Sequence, residues 1–430
     1  MVLLPGVLVL LLLFWQNPGL PYQDDYGAVL NFLVQLRKMP TVPAKLAYIT
    51  ASQHNEYHLI LGHAFEAAEL ALTHHVDFNF NFLIIFGYLF LVGSFYLIWR
   101  LYRDDTSNRS CQLTRFVPIS LIFFSLTYWE NLNWAMTEFQ NMAVIFFGLL
   151  ALDCIIPEVA IKNPWRLFGG CVAACLACCS SANGFLLLPI GMVPLLARRK
   201  YGWSIAWIGS FAFPLAAYMY QRVPVAAQPG TPLPPVMRAL LFFATLGCAI
   251  PVRPVAIVVG LGLAIVLAWA AQARYHRVRP AASSSMVWVL LTVALIAVVR
   301  GESGFAIASR YSIYSILALI FAFSFLRSET DRRFGTKVRR NFERVTVALA
   351  LGFYLVANVH ATYDFAKRRA LIVGGMNFYR EDPEKNSPLV NPAVEKAFPL
   401  EKAGEQNALR QAVQLGIYQV PGTRGPNSAH

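Results

Sequence analysis

The sequence predicts an all-α protein that crosses a lipid bilayer many times, as a helix bundle of about 11 spans. Of its 430 residues, 57% are hydrophobic and only 14% are charged, whereas a soluble domain carries roughly 25% charged residues. Apolar runs of about 15 to 22 residues recur along the chain, which suits the roughly 30 Å hydrocarbon core. The runs are continuous rather than alternating, which favours helices over strands.

The positions of the basic residues orient the predicted spans. These cover residues 2–16, 79–99, 116–129, 139–156, 167–183, 185–197, 203–220, 254–273, 285–299, 311–326 and 345–362. Arginine and lysine collect in cytoplasmic loops, and that rule places the N-terminus inside and the C-terminus outside. A further apolar stretch, 236–250, is bounded by prolines, and we expect it to be re-entrant or interfacial.

Two regions outside the membrane are large. Residues 17–78 form the first external loop, with two helix-like stretches at 26–38 and 56–73. We therefore expect a transmembrane module over 1–362 and a small external tail over 363–430, with a helical pattern near 392–415. The net charge of +13 is explained by cytoplasmic loops, so membrane lipids rather than nucleic acid are the expected partner.

Two adjacent carboxylates, Asp24 and Asp25, follow the first predicted span. Neighbouring carboxylates at a membrane surface repel each other, which is typical of a general base or a cation ligand. The alternative is a solvated loop or a helix N-cap before Tyr26.

A polar run in the same loop contains His54, Asn55 and Glu56, followed by His58. Hydrogen bonding to a sugar or a phosphate is the functional reading, and helix capping by Asn55 is the plain alternative. Two histidines four residues apart share a helical face, but zinc sites usually need a further ligand. The sequence therefore implies no firm cofactor, and a divalent metal stays open.

More polar residues lie at the outer ends of later spans. Buried polar groups near a membrane cost free energy unless they are partnered, and aromatic faces beside amides and carboxylates suit carbohydrate. On that chemistry we expect substrate binding by Trp129, Glu130, Asn131, Gln140 and Asn183, although Asn183 also fits a plain turn.

Basic residues bracket the outer loop before the predicted span 311–326. Arg300, Arg310 and Tyr311 are candidates for binding a donor phosphate, because the planar guanidinium matches phosphate oxygens. Snorkelling of the arginines to ordinary lipid headgroups is the alternative.

This pattern resembles the GT-C superfamily, the polytopic glycosyltransferases that use polyprenyl-phosphate sugars. The similarity rests on the Asp24-Asp25 pair, the large first loop, and the sets Gln53-His54-Asn55-Glu56, Trp129-Glu130-Asn131 with Gln140, Ser181-Ala182-Asn183-Gly184 and Ser309-Arg310-Tyr311. The resemblance implies that Asp24 or Asp25 is the general base and that Arg310 holds the donor phosphate. Tyr57 and His58 depart from the related group, which usually has His and Arg there.

The function expected from these residues is transfer of a sugar from a polyprenyl-phosphate donor to an envelope glycan, lipid or protein acceptor. The expected location is the outer face of a bacterial inner membrane. The main alternative is a transporter or flippase of a lipid-linked or polar solute, and a second is a non-catalytic member of an envelope assembly. No internal repeat of the kind common in transporters is evident.

Overall fold

A computed structural model gives the fold of residues 2–54, 58–73, 78–103, 109–157, 163–220, 233–301, 308–382 and 399–421. All regular elements within these ranges are helices, as the sequence predicts. No β-strand occurs among these residues.

The first external loop is largely helical. Helix α1 covers Leu4–Gln16 and leads into the loop. A π-helical turn, Tyr26–Asn31, then runs directly into helix α2. The loop helices are α2 (Phe32–Lys38), α3 (Val42–Ala51) and α4 (Ile60–Leu72). The predicted stretch 26–38 is therefore helical, and within 56–73 the helix covers Ile60–Leu72.

Six helices are long and apolar enough to cross a membrane. They are α5 (Phe80–Tyr102), α7 (Ala135–Ile155), α12 (Arg253–Gln272), α13 (Pro280–Arg300), α14 (Ser312–Arg333) and α15 (Thr336–Glu381). Each coincides with one predicted span. The protein thus has the helix composition of a multi-pass membrane protein.

Shorter helices lie in other predicted spans, namely α6 (Arg109–Phe123), α8 (Pro164–Ser180), α9 (Leu187–Ala197) and α10 (Tyr201–Met219). Helix α11 (Pro235–Leu246) lies in the stretch 236–250, which was not predicted to span the membrane. A helix of 12 residues such as α11 is only about 18 Å long at about 1.5 Å per residue, short of the roughly 30 Å hydrocarbon core.

Helices α11 and α12 form a tight hairpin that contains the predicted irregular stretch 236–250. Gly247 and Gly260 lie where they pack, and a Cβ on Gly260 would stand 1.8 Å from the carbonyl oxygen of Phe243. Glycine is needed because no side chain fits between the two backbones. The stretch is therefore a short helix that folds back on its successor.

The last long helix extends well past the predicted boundary at residue 362. Helix α15 runs without interruption to Glu381, and its buried residues after 360 recur every three or four positions: Ala361, Phe365, Arg368, Ile372, Met376 and Tyr379. This spacing places them on one helical face. The division between 1–362 and 363–430 thus falls inside a helix.

The C-terminal segment returns to the first external loop. Its helix α16 covers Pro399–Gln414. Lys38 Nζ donates a hydrogen bond to Gln411 Oε1 at 3.0 Å, and the Phe78 N–H donates to the Ile417 carbonyl at 2.8 Å. The loop and the tail therefore pack together at one end of the molecule.

Candidate functional site

Asp25 is buried and fixes the first loop against the start of α7. Its Oδ1 accepts a hydrogen bond from the Met136 N–H at 3.0 Å. Its Oδ2 accepts from the Tyr22 N–H at 3.1 Å. The side chain is only 1% exposed. Burial raises the pKa of Asp25 to about 7, with a smaller upward contribution from the Asp24 carboxylate and against the lowering effect of the backbone hydrogen bonds.

Asp24 lies at the surface of the same turn. Its side chain is 35% exposed, and its Oδ1 lies 3.7 Å from His54 Nε2. The imidazole of His54 packs on Gly27, where a Cβ would stand 2.9 Å from the ring. Asp24 and His54 therefore form an accessible acid–imidazole pair, and Asp25 is enclosed beneath it.

The Trp129-Glu130-Asn131 motif holds the backbone of Arg310. It lies in a 3₁₀-helical segment, Leu126–Leu132. Glu130 Oε2 accepts from the Arg310 N–H at 3.0 Å, and Asn131 Nδ2 donates to the Arg310 carbonyl at 2.7 Å. Two motifs that are about 180 positions apart in sequence therefore lie side by side.

Aromatic rings surround the Arg310 side chain. Its guanidinium lies 5.6 Å from the Trp134 ring centre and 5.3 Å from that of Tyr311. Arg300 Nε donates to the Tyr311 hydroxyl at 2.8 Å. The three residues predicted for donor-phosphate binding thus form one group of two cations and a tyrosine.

Arg368 is a central residue that the sequence analysis assigned to the external tail. It is 7% exposed. Its guanidinium donates to Asn133 Oδ1 at 3.1 Å and to Glu130 Oε1 at 3.2 Å. The ring centre of Trp129 lies 4.2 Å away. Glu130 therefore connects the backbone of Arg310 with the side chain of Arg368.

Trp134 links the acidic turn to the arginines. The rings of Tyr22 and Trp134 meet edge to face at 5.6 Å, and Arg368 lies 4.5 Å from the Tyr22 ring centre. The turn that carries Asp24 and the loop that carries Arg310 therefore contact the same indole. The early carboxylates and the late arginine lie at the same end of the bundle.

A cavity of about 520 Å³ opens beside this cluster. Apolar side chains of α15 and of the 248–251 turn form most of its wall. Trp129, Thr127 and Ser309 line the end nearest the cluster. Trp129 therefore belongs both to the cavity and to the surroundings of Arg368.

Several buried hydrogen-bond donors at this junction have no protein acceptor among the described residues. They are Trp134 Nε1, Asn133 Nδ2, Thr127 Oγ1 and Ser309 Oγ. Most buried polar groups in proteins are hydrogen-bonded, so the unpaired Thr127 and Ser309 hydroxyls that line the cavity indicate a binding site for an acceptor. The site is rich in donors and cations.

The other predicted substrate-binding residues lie apart from this cluster or outside the description. Asn183 Nδ2 donates to the Tyr314 hydroxyl at 2.9 Å, and the Asn183 carbonyl accepts from Trp288 Nε1 at 3.1 Å. Gln140 is buried in α7. Asn55 and Glu56 lie outside the described residues.

Two further carboxylates are enclosed near Asp25. Glu66 and Glu138 are 2% and 0% exposed. Glu138 has no hydrogen-bond partner for either oxygen within the described structure, and Glu66 has none for Oε2. Burial raises the pKa of Glu66 well above its usual value, and Asp25 adds to that shift.

No group of three or more His, Cys, Asp or Glu that could hold a metal ion occurs in the described part of the chain.

Comparison with known proteins identifies no relative. No protein-family model, no curated protein and no solved structure matches this chain. The similarity to the GT-C superfamily therefore stays a prediction from the motifs.

Proposed function

We propose that the protein is a membrane glycosyltransferase with a GT-C-type fold of about 11 spans. It would transfer a sugar from a polyprenyl-phosphate donor to an envelope glycan, lipid or protein acceptor on the outer face of a bacterial inner membrane. The supporting observation is that the unpaired hydroxyls of Thr127 and Ser309 line a largely apolar cavity, and that Arg310 directly follows Ser309 in the chain.

The donor side combines a cationic and an apolar part. In the proposed complex the polyprenyl chain occupies the 520 Å³ cavity, and its phosphate lies near Ser309 and Arg310. The carboxylate of Glu130 already balances Arg368, which is buried. Arg310 is half-buried and directly follows Ser309, which lines the cavity, so we assign the phosphate to Arg310.

On the acceptor side we assign the base to Asp24 rather than Asp25. Both oxygens of Asp25 already accept backbone N–H groups, whereas the Asp24 carboxylate is accessible beside His54. Asp24 takes the proton of the acceptor hydroxyl as that oxygen bonds to the anomeric carbon. The bond from that carbon to the phosphate oxygen breaks, and its electron pair leaves with the polyprenyl phosphate. The anomeric configuration is inverted.

Charge that develops on the leaving phosphate is stabilised by groups that are already in place. The backbone of Arg310 is held on both sides, by Glu130 and by Asn131. Such preorganised cations and donors stabilise a transition state because they need no rearrangement during the reaction. We assign to Arg300 and Tyr311 the support of the Arg310 side chain.

The direct test is transfer by the purified full chain from synthetic polyprenyl-phosphate sugars, read by mass spectrometry of the lipid product. We expect polyprenyl phosphate to be released only when an acceptor is present. Arg310→Gln should lower the rate of this release at least about 100-fold. Lys367→Gln, which removes one exposed positive charge from α15, should retain activity. Equal activity of these two variants would contradict the assignment.

One observation favours the alternative, a transporter or flippase. Glu138 lies in a membrane-length helix, fully buried and without a hydrogen bond among the described residues. Ionisable groups at such places often carry protons in transporters. The test is proton-coupled transport of a lipid-linked solute across the membrane of proteoliposomes. Transport that Glu138→Gln abolishes, together with no detectable sugar transfer, would show that transport is the function.

A further inference from the structure

A second groove lies at the opposite ends of the helices that carry the candidate site. Its volume is about 580 Å³, and α6, α14 and the start of α15 form its walls. Arg327 in this groove is 17 positions after Arg310, which corresponds to about 26 Å along a helix. Arg310 and Arg327 are thus separated by about the thickness of a hydrocarbon core, whereas the two cavities adjoin on α15, where Leu351 lines one and Gly352 lines the other.

Basic residues dominate the polar lining of the groove. It contains four arginines and one carboxylate, namely Arg115, Arg327, Arg340, Arg344 and Glu343. Arg115 pairs with Glu343 at 2.8 Å, and Arg327 lies 3.5 Å from Asp331 outside the lining. Two of the four arginines are therefore balanced by carboxylates.

Arg340 and Arg344 are left as the excess positive charge. They lie one turn apart on α15 and are exposed, and neither forms an ion pair with a side chain that the structure describes. Like charges at this spacing repel each other on a helix. An anion that bridged the two guanidinium groups would remove the repulsion and match their donor geometry.

The remaining wall of the groove is apolar. Phe323, Val347, Leu351 and Pro118 line it beside the arginines. Leu351 is 45% exposed. A ligand that suits the whole groove therefore carries negative charge at one end and hydrocarbon at the other.

We propose that this groove binds an anionic phospholipid of the adjacent leaflet, with the phosphate at Arg340 and Arg344. The acyl chains lie along Phe323 and Leu351. Basic pockets between transmembrane helices recognise anionic headgroups in this way. The proposal does not depend on the enzymatic function, because it uses neither the cavity near Arg310 nor the carboxylates of the first loop.

The test is native mass spectrometry of the purified full chain, titrated with phosphatidylglycerol or phosphatidylcholine in detergent. We expect a bound phosphatidylglycerol that phosphatidylcholine does not replace. Arg340→Gln with Arg344→Gln should weaken this binding roughly tenfold to thirtyfold. The matched control, Lys200→Gln with Arg277→Gln, also removes two exposed positive charges and should bind as the unchanged protein does.

Three results would overturn the proposal. One is equal affinity for the two lipids. Another is equal loss of binding in both double variants, which would indicate a general charge effect. The third is displacement of the lipid by millimolar inorganic phosphate, which would indicate a phosphate site without lipid selectivity. All four replaced side chains are exposed, so we expect both double variants to melt at the temperature of the unchanged protein. Measuring the two melting temperatures therefore distinguishes loss of binding from unfolding.

Discussion

Arg368 organises the candidate site through contacts with separate parts of the chain. Its guanidinium reaches the first loop at the Tyr22 ring and the segment before α7 at Trp129 and Glu130. A buried guanidinium needs both a counter-charge and planar surfaces on which to stack. The predicted boundary at residue 362 places Arg368 in the external tail, because only the folded helix α15 brings it back to this cluster.

Replacing Arg368 should destabilise the protein. Arg368→Gln leaves the Glu130 carboxylate without its cation, and breaking a buried ion pair typically costs about 3–5 kcal/mol. We expect a clearly lower unfolding temperature in detergent, together with lower transfer activity. Lys367→Gln is the control, because Lys367 is exposed beside it. Equal melting of the two variants would show that the pair contributes little.

The two aspartates of the first loop should give different phenotypes. Asp24→Asn removes the accessible carboxylate and should lower kcat strongly with little change in unfolding temperature. Asp25→Asn places an amide donor against a backbone N–H donor, which costs about 1–3 kcal/mol. Transfer assays measure kcat, and thermal unfolding measures the stability, of both variants. A kcat loss confined to Asp25→Asn would reverse our assignment of the base.

Part of the site was recognisable from residue types alone. Their polarity at span ends predicts Glu130, Asn131 and Arg310 as separate site residues, and the structure joins them by hydrogen bonds. The same reasoning predicts Asn183, which pairs with Tyr314 instead. Polarity at a span end shows that a partner is needed, but it does not identify that partner.

At the scale of elements, apolar runs located the helices well. Predicted spans 79–99 and 285–299 match α5 (Phe80–Tyr102) and α13 (Pro280–Arg300). The end of α15 was harder to predict, because Lys367, Arg368 and Arg369 interrupt the apolar run while the buried face continues. Hydropathy averages over all faces of a helix, whereas packing depends on one face.

The hairpin of α11 and α12 gives a prediction with an internal control. A Cβ at residue 260 would overlap the Phe243 carbonyl, whereas at Gly262 nothing lies within 4 Å. Gly260→Ala should therefore lower the free energy of unfolding by about 1–3 kcal/mol or more. Gly262→Ala should be neutral or stabilising by about 0.5–1 kcal/mol. Thermal unfolding of both variants tests this, and equal stability would contradict the tight hairpin.

At the scale of the whole molecule, buried carboxyl groups make stability depend on pH. Burial raises the pKa of Glu69 from 4.5 to about 7, against the lowering effect of a hydrogen bond from the Asn79 N–H. Because the folded state binds this proton more tightly, the stabilisation is complete below about pH 4.5 and is lost as the pH rises to about 7. Asp25, with a pKa of about 7, acts in the same direction.

Replacement of Glu69 by glutamine should reduce this dependence. Glu69→Gln can still accept the Asn79 N–H through its amide oxygen and does not titrate. We expect the fall in unfolding temperature between pH 5 and pH 8 to be smaller than in the unchanged protein, with a residual slope from Asp25. An unaltered slope would mean that Glu69 is ionised in the folded state throughout.

The two ends of α15 should lie on opposite sides of the membrane. Residues 337 and 367 are 30 positions apart in a continuous helix, which is about 45 Å at about 1.5 Å per residue, and this exceeds the roughly 30 Å hydrocarbon core. The excess of arginine near residue 337 favours the cytoplasmic side for that end. In this expected orientation, the groove proposed to bind phospholipid lies inside and the Arg310 cluster lies outside.

Labelling of single added cysteines tests this orientation. In intact cells, a membrane-impermeant maleimide should modify Lys367→Cys but should modify Lys337→Cys only after permeabilisation, with the unchanged protein as background for its own cysteines. The reverse pattern would place the Arg310 cluster in the cytoplasm, where soluble nucleotide sugars are available, and would remove the argument for an external polyprenyl-phosphate donor. Labelling of both positions without permeabilisation would show that α15 does not cross the membrane. The candidate site and the groove would then not lie on opposite sides of the bilayer.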